Sequence, residues 1–193
     1  MARSSEAPQE DLELVIERVF EAPPALVFKM WSDVEHLVRW HGPEGLALLH
    51  CEQDFREGGK WRRCMSSGPG HAHWISGEYR EIRPHTRLSF TYINAYDDFE
   101  TLVVMDFTDL GGRTAMHFRQ SPFISKAECD GHGWGWRSGF ELLAAYVALF
   151  EGVEGAPRGA PRSDGVAEDI VAARRRQQQH REEAERADTA KND

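Results

Sequence analysis

The sequence predicts an α+β domain in which one curved antiparallel sheet wraps a long C-terminal helix, and three observations predict it. From Gly42-Pro43 to about Gln120 the chain reads as strands separated by tight turns, so successive strands pair as hairpins with no crossover helix between them. Residues 126–152 read as one helix, with Trp136, Phe140, Leu143, Val147 and Phe150 at intervals of three and four, a stripe that must face the sheet. The length, 193 residues with 40% hydrophobic, suits a single core with polar ends to spare.

The elements follow in order. Residues 1–10 form a polar, flexible lead, and the folded domain is expected over 11–152. Leu12 to Phe20 is a strand of β-branched and apolar residues, which Ala22-Pro23-Pro24 stops while opening a helix. That helix carries Leu26, Phe28, Met30 and Trp31, and a second short one runs through Val34, Leu37 and Trp40 to Gly42-Pro43. Gly58-Gly59 is read as a hairpin that pairs Arg56 with Trp61 and Asp54 with Arg63, and the Pro84 turn brings Tyr79 beside Phe90. A two-residue Gly111-Gly112 turn pairs Phe107 with Met116, Asp106 with His117 and Met105 with Phe118. Alternation then sends Val103, Met105, Phe107, Met116 and Phe118 inward and Asp106, Thr108, His117 and Arg119 outward. Residues 153–193 hold hardly any large apolar side chain, so a disordered tail is expected there.

Composition narrows the function. A net charge of -9 gives no basic face for phosphates, which argues against nucleic acid and anionic membrane surfaces. No stretch reaches the roughly 20 apolar residues of a membrane span, and the polar start does not resemble a secretory signal. Cys51, Cys64 and Cys129 are far apart and odd in number, which suits reduced thiols and a cytoplasmic location. A homodimer stays open.

Several motifs now look familiar in their order: Phe20-Glu21-Ala22-Pro23, Trp40-His41-Gly42-Pro43, Asp54-Phe55-Arg56-Glu57-Gly58-Gly59, Ser76-Gly77-Glu78-Tyr79, Arg87-Leu88-Ser89-Phe90-Thr91-Tyr92 and Gly133-Trp134. Together, over roughly Leu12 to Gly152, they resemble the activator of heat-shock-protein ATPase homologue family (AHSA-type), in the SRPBCC, START-like superfamily of helix-grip proteins. The resemblance implies a helix-grip fold with an internal cavity between sheet and last helix. It implies three functional classes: a binder of a hydrophobic small molecule such as a lipid or aromatic metabolite, a cofactor-free cyclase, dehydratase or hydrolase, or a stress- or chaperone-associated regulator. Two departures from the family pattern are His41, where a second tryptophan is usual, and the dense run Gly131-His132-Gly133-Trp134-Gly135-Trp136.

The expected ligand contacts are the inward rings Trp61, Tyr79, Phe90, Tyr92, Trp136 and Phe140, with Met105 and Phe118 beside them. Trp40, His41 and Trp134 are expected at the mouth. His41, Tyr79 and Tyr92 are the titratable candidates for catalysis, with Glu52 and Asp54 behind them. Asp106 and His117 are expected to face solvent, which disfavours a dyad, and Asp54 with Arg63 is read as an ion pair holding strand register. Cys64, His71 and His73 are too few for a metal site, so no metal is expected, and no fingerprint of a cofactor is present.

Overall fold

The computed structural model describes residues 12–150. The expected lead over 1–10 and the tail over 153–193 lie outside them. In chain order the elements are β1 (Leu14–Phe20), α1 (Pro24–Ser32), α2 (Val34–Trp40), β2 (Ala47–Gln53), β3 (Lys60–Gly68), β4 (His71–Arg83), β5 (Arg87–Asn94), β6 (Glu100–Asp109), β7 (Thr114–Ser121) and α3 (Lys126–Val147), which ends in a 3-10 turn over Ala148–Phe150. All strands form one antiparallel sheet in the order β1-β7-β6-β5-β4-β3-β2.

The local chemistry accounts for the helices. Pro24 opens α1, where a missing N–H is harmless, and Asp33 both ends α1 and caps α2 by accepting from the Glu35 N–H. Ser125 caps α3 through the Glu128 N–H, while the Glu128 carboxylate accepts from the Ile124 N–H. The expected stripe of α3 is buried along its length, from Trp136 to Phe150. Each of its large side chains is worth about 1.5–3 kcal/mol of burial.

The Gly111-Gly112 turn sets the predicted register: Asp106 pairs with His117 and Met105 with Phe118. Tyr79 pairs with Phe90 as the Pro84 turn implied. The reading at Gly58-Gly59 is corrected. β2 and β3 pair Gln53 with Trp61 and Cys51 with Arg63, three residues out of the expected register. The physical reason is that the two glycines do not form the turn tip; Gly58 donates to the Tyr79 carbonyl and Gly59 accepts from the Tyr79 N–H. A side chain on Gly59 would stand 2.0 Å from the Asp54 carbonyl oxygen. The loop is therefore longer, the Asp54–Arg63 ion pair does not form, and Asp54 instead pairs with Arg56 at 2.8 Å.

The centre of the grip is filled by rings. Trp31 from α1 reaches between sheet and α3, 4.7 Å from Trp40 and 6.1 Å from Trp136 between ring centroids. Phe118 and Phe140 close the other side at 5.4 Å. These side chains take the volume in the middle of the grip, so open space between the sheet and the last helix lies towards one end of it.

Candidate functional site

Space remains at one end of the grip, where the first half of α3 passes over the ends of β3, β4 and β5. It is an open cleft of about 680 Å³, within the range that holds small organic ligands. Its roof is α3, which there presents Gly131, Gly135 and Gly139, spaced four apart on one helix face. A side chain at Gly131 or Gly135 would meet nothing within 4 Å, so these glycines are not needed for close packing; they leave the roof bare. Gly139 instead lies against the backbone of Gly42, 3.4 Å from where its side chain would begin. The floor is Met65, Tyr92 and Asn94 from the sheet, and one wall is Gly70 of the β3–β4 turn with the start of β4, His71, Ala72 and His73. Trp134 and Tyr96 stand at the mouth, 60% and 61% exposed.

Five of the expected contacts border this cleft: Trp40, His41, Tyr92, Trp134 and Trp136. Trp40 does so from within the core, fully buried, with its indole N–H donated to the Met30 carbonyl. Trp61, Tyr79, Phe90, Met105, Phe118 and Phe140 do not border it; they are packed in the core at 2% exposure or less. Glu52 and Asp54 are exposed on the far side of β2 and its loop.

His41 is not at a solvent edge but 3% exposed. The Arg63 guanidinium, itself buried, lies 2.9 Å from His41 Nε2. Arginine can only donate, so Nε2 accepts and the neutral ring carries its proton on Nδ1. Arg63 also reaches the Gln53 side chain and the Tyr79 hydroxyl, each at 3.4 Å, and lies 4.5 Å over the Trp61 ring. Tyr79 in turn donates to Gln53 at 2.7 Å, and burial pushes its hydroxyl up from the ordinary tyrosine value. Burial does the same to the Tyr92 hydroxyl.

A second polar cluster forms the inner wall, and sequence reasoning did not single it out. Trp136 Nε1 donates to Gln120 Oε1 at 2.7 Å, His132 Nδ1 lies 3.2 Å from the same oxygen, and Asn94 Nδ2 lies 3.2 Å from His132 Nε2. Gln120 Nε2 donates to Thr101 Oγ1 at 2.7 Å, which donates on to the Tyr92 carbonyl. The alternation Phe90-Tyr92-Asn94 and Met116-Phe118-Gln120 was the available signal: an inward series that turns polar at its last member.

Burial lowers His132 to about 4. The unfolded chain, with an ordinary histidine value of 6.5, takes up the proton first, so this part of the stability is complete above pH 6.5 and is lost as pH falls towards 4. The loss is on the order of 3 kcal/mol. His36 and His73 are lowered by burial too and act with the same sign. Urea unfolding at neutral pH and near pH 4.5 should show the loss in the wild type and a smaller one in His132→Gln; an equal loss in both would refute the assignment.

The outward pair Asp106 and His117 makes no dyad. Asp106 takes Arg87 at 2.5 Å and Arg119 at 3.7 Å, while His117 faces Glu17 at 3.4 Å. Cys64 and His73 point to opposite faces of the sheet, because Cys64 pairs with Trp74 and Met65 with His73. Among the described residues no group of three ligating side chains is placed to hold a metal ion. Nor is any described helix long and apolar enough to cross a membrane.

Comparison with known proteins bears on this geometry. The family model for AHSA1, Activator of Hsp90 ATPase homolog 1-like protein, matches residues 21–148. A search of curated proteins finds no match. Among solved structures, the AHSA1 protein from Silicibacter pomeroyi is 28% identical with a TM-score of 0.64, the match covering 72% of this chain and 99% of that one. A protein from Chromobacterium violaceum is 23% identical, TM-score 0.64, covering 70% and 96%. One from Mycobacterium smegmatis is 21% identical, TM-score 0.60, covering 77% and 98%. The last two likenesses concern the fold alone.

Proposed function

Because the chain belongs to the Activator of Hsp90 ATPase homolog 1-like family, we propose that its helix-grip domain, residues 11–152, binds a hydrophobic small molecule, a lipid or an aromatic metabolite, in the cleft under the bare face of α3. The observation that carries this is the roof itself. Glycine in a helix interior costs up to about 1 kcal/mol relative to alanine, and Gly131 and Gly135 repay nothing in packing. What they provide is room between α3 and the floor of Met65, Tyr92 and Asn94.

The enzyme alternative draws no comparable support. His41 Nε2 is engaged by Arg63 and Tyr79 sits away from the cleft. Tyr92 borders it, but burial opposes its ionisation. The regulator alternative needs a docking surface, and the exposed apolar residues of the described chain are scattered apart from the pair at the mouth.

Titration with prodan, an uncharged naphthalene fluorophore, tests the reading. Wild type is expected to bind it with quenching of tryptophan emission. Trp134→Ala should weaken binding about tenfold, as loss of a ring covering the ligand does. Its melting temperature should stay within roughly 2 °C of wild type, since Trp134 is mostly exposed. Undiminished binding by Trp134→Ala would count against the cleft.

A further inference from the structure

We propose that the molecule held in the cleft carries a hydrogen-bond donor, a hydroxyl or N–H on its apolar body, and that Asn94 Oδ1 receives it. This rests on the binding reading above and names the class of ligand.

The argument begins at a group with one hydrogen-bonding role. The Trp136 indole can only donate, so the Gln120 atom 2.7 Å from it is the oxygen. The other end of that amide, its nitrogen, donates to Thr101. His132 Nδ1 faces the same Gln120 oxygen and must therefore carry the ring proton, which leaves Nε2 as a lone pair. Asn94 then turns its nitrogen to His132 Nε2 at 3.2 Å and to the Tyr96 hydroxyl at 3.1 Å. Each choice forces the next, and the last one leaves Asn94 Oδ1 as an acceptor that no described donor reaches in full hydrogen-bond geometry, with the His73 ring as its only weakly interacting neighbour.

Asn94 is 3% exposed and borders the cleft, so an unsatisfied amide oxygen there is a liability unless a partner arrives. His73 and Tyr96, whose rings lie 5.7 Å apart, stand beside it, and Tyr96 is largely exposed at the mouth. The acceptor is fixed from behind by the chain of bonds to Trp136, so it selects by chemistry. A donor gains a bond there. A ligand with the same apolar body but no donor can still enter the cleft, yet it leaves that oxygen unpaired and binds more weakly.

The test compares β-naphthol with its methyl ether, which share the ring system and differ in the donor. Wild type should bind the naphthol about tenfold more tightly. Asn94→Leu should lose the preference, whereas Asn94→Asp, which keeps an acceptor, should retain it. Melting curves identify a variant that does not fold, and the wild-type comparison stands without them. Equal binding of the two probes by wild type would overturn the donor assignment and leave the cleft reading intact. Binding of neither probe would overturn the cleft reading and the assignment with it.

Discussion

Phe140→Ala is expected to lower the unfolding free energy by about 3–5 kcal/mol, the usual range for emptying a buried phenylalanine site. Phe140 is fully buried and packs at 5.4 Å on Phe118 and 5.6 Å on Trp136 between ring centroids. These neighbours are held by the sheet and by the Trp136–Gln120 hydrogen bond, so they cannot collapse into the space. The melting temperature should fall by roughly 10 °C or more. Affinity for prodan, measured below the new transition, should change little, because Phe140 does not border the cleft. A variant that melted like wild type but lost prodan binding would mean that the ligand lies among the core rings.

Gly135→Leu is expected to have the opposite profile. The site lies on the cleft face of α3, and a side chain there would meet nothing within 4 Å. Replacing an interior helical glycine with a good helix former adds up to about 1 kcal/mol to stability. The leucine would project into the cleft, and overlap with a bound ring should weaken prodan binding by about a hundredfold. A stabilised protein that cannot bind separates the cleft from the fold, which few core substitutions can do. If Gly135→Leu bound prodan as tightly as wild type, the roof of α3 would have no part in recognition.

The fold was legible where local chemistry left one solution. A two-residue glycine turn allows one register, and Asp106 opposite His117 followed from it. The stripe of α3 was equally plain, since no other face could be buried. The reading failed at Gly58-Gly59, where glycine serves a close approach to the Asp54 carbonyl and pairing with Tyr79 from a distant strand, neither of which a short window contains. The site was legible in part. The glycine-rich start of the last helix was visible, but whether those glycines mark a hinge or a bare face depends on what lies opposite. Met105, Phe118 and Phe140 were correctly turned inward, yet which inward residues meet a cleft depended on where Trp31 fills the interior. Asn94, Gln120 and His132 matter only as a chain of bonds between three elements, and no single position announces it.

One measurement addresses the central claim most directly: the methyl spectrum of protein labelled at its methionines, recorded with and without prodan. The chain has five methionines, of which Met65 borders the cleft while Met30, Met105 and Met116 are buried in the core. Binding in the cleft predicts a large shift of the Met65 methyl, with magnetisation transfer from the probe, and little change at the other three. Transfer from prodan to Met105 or Met116 with Met65 undisturbed would place the ligand between the sheet and the middle of the helix, and would contradict the account.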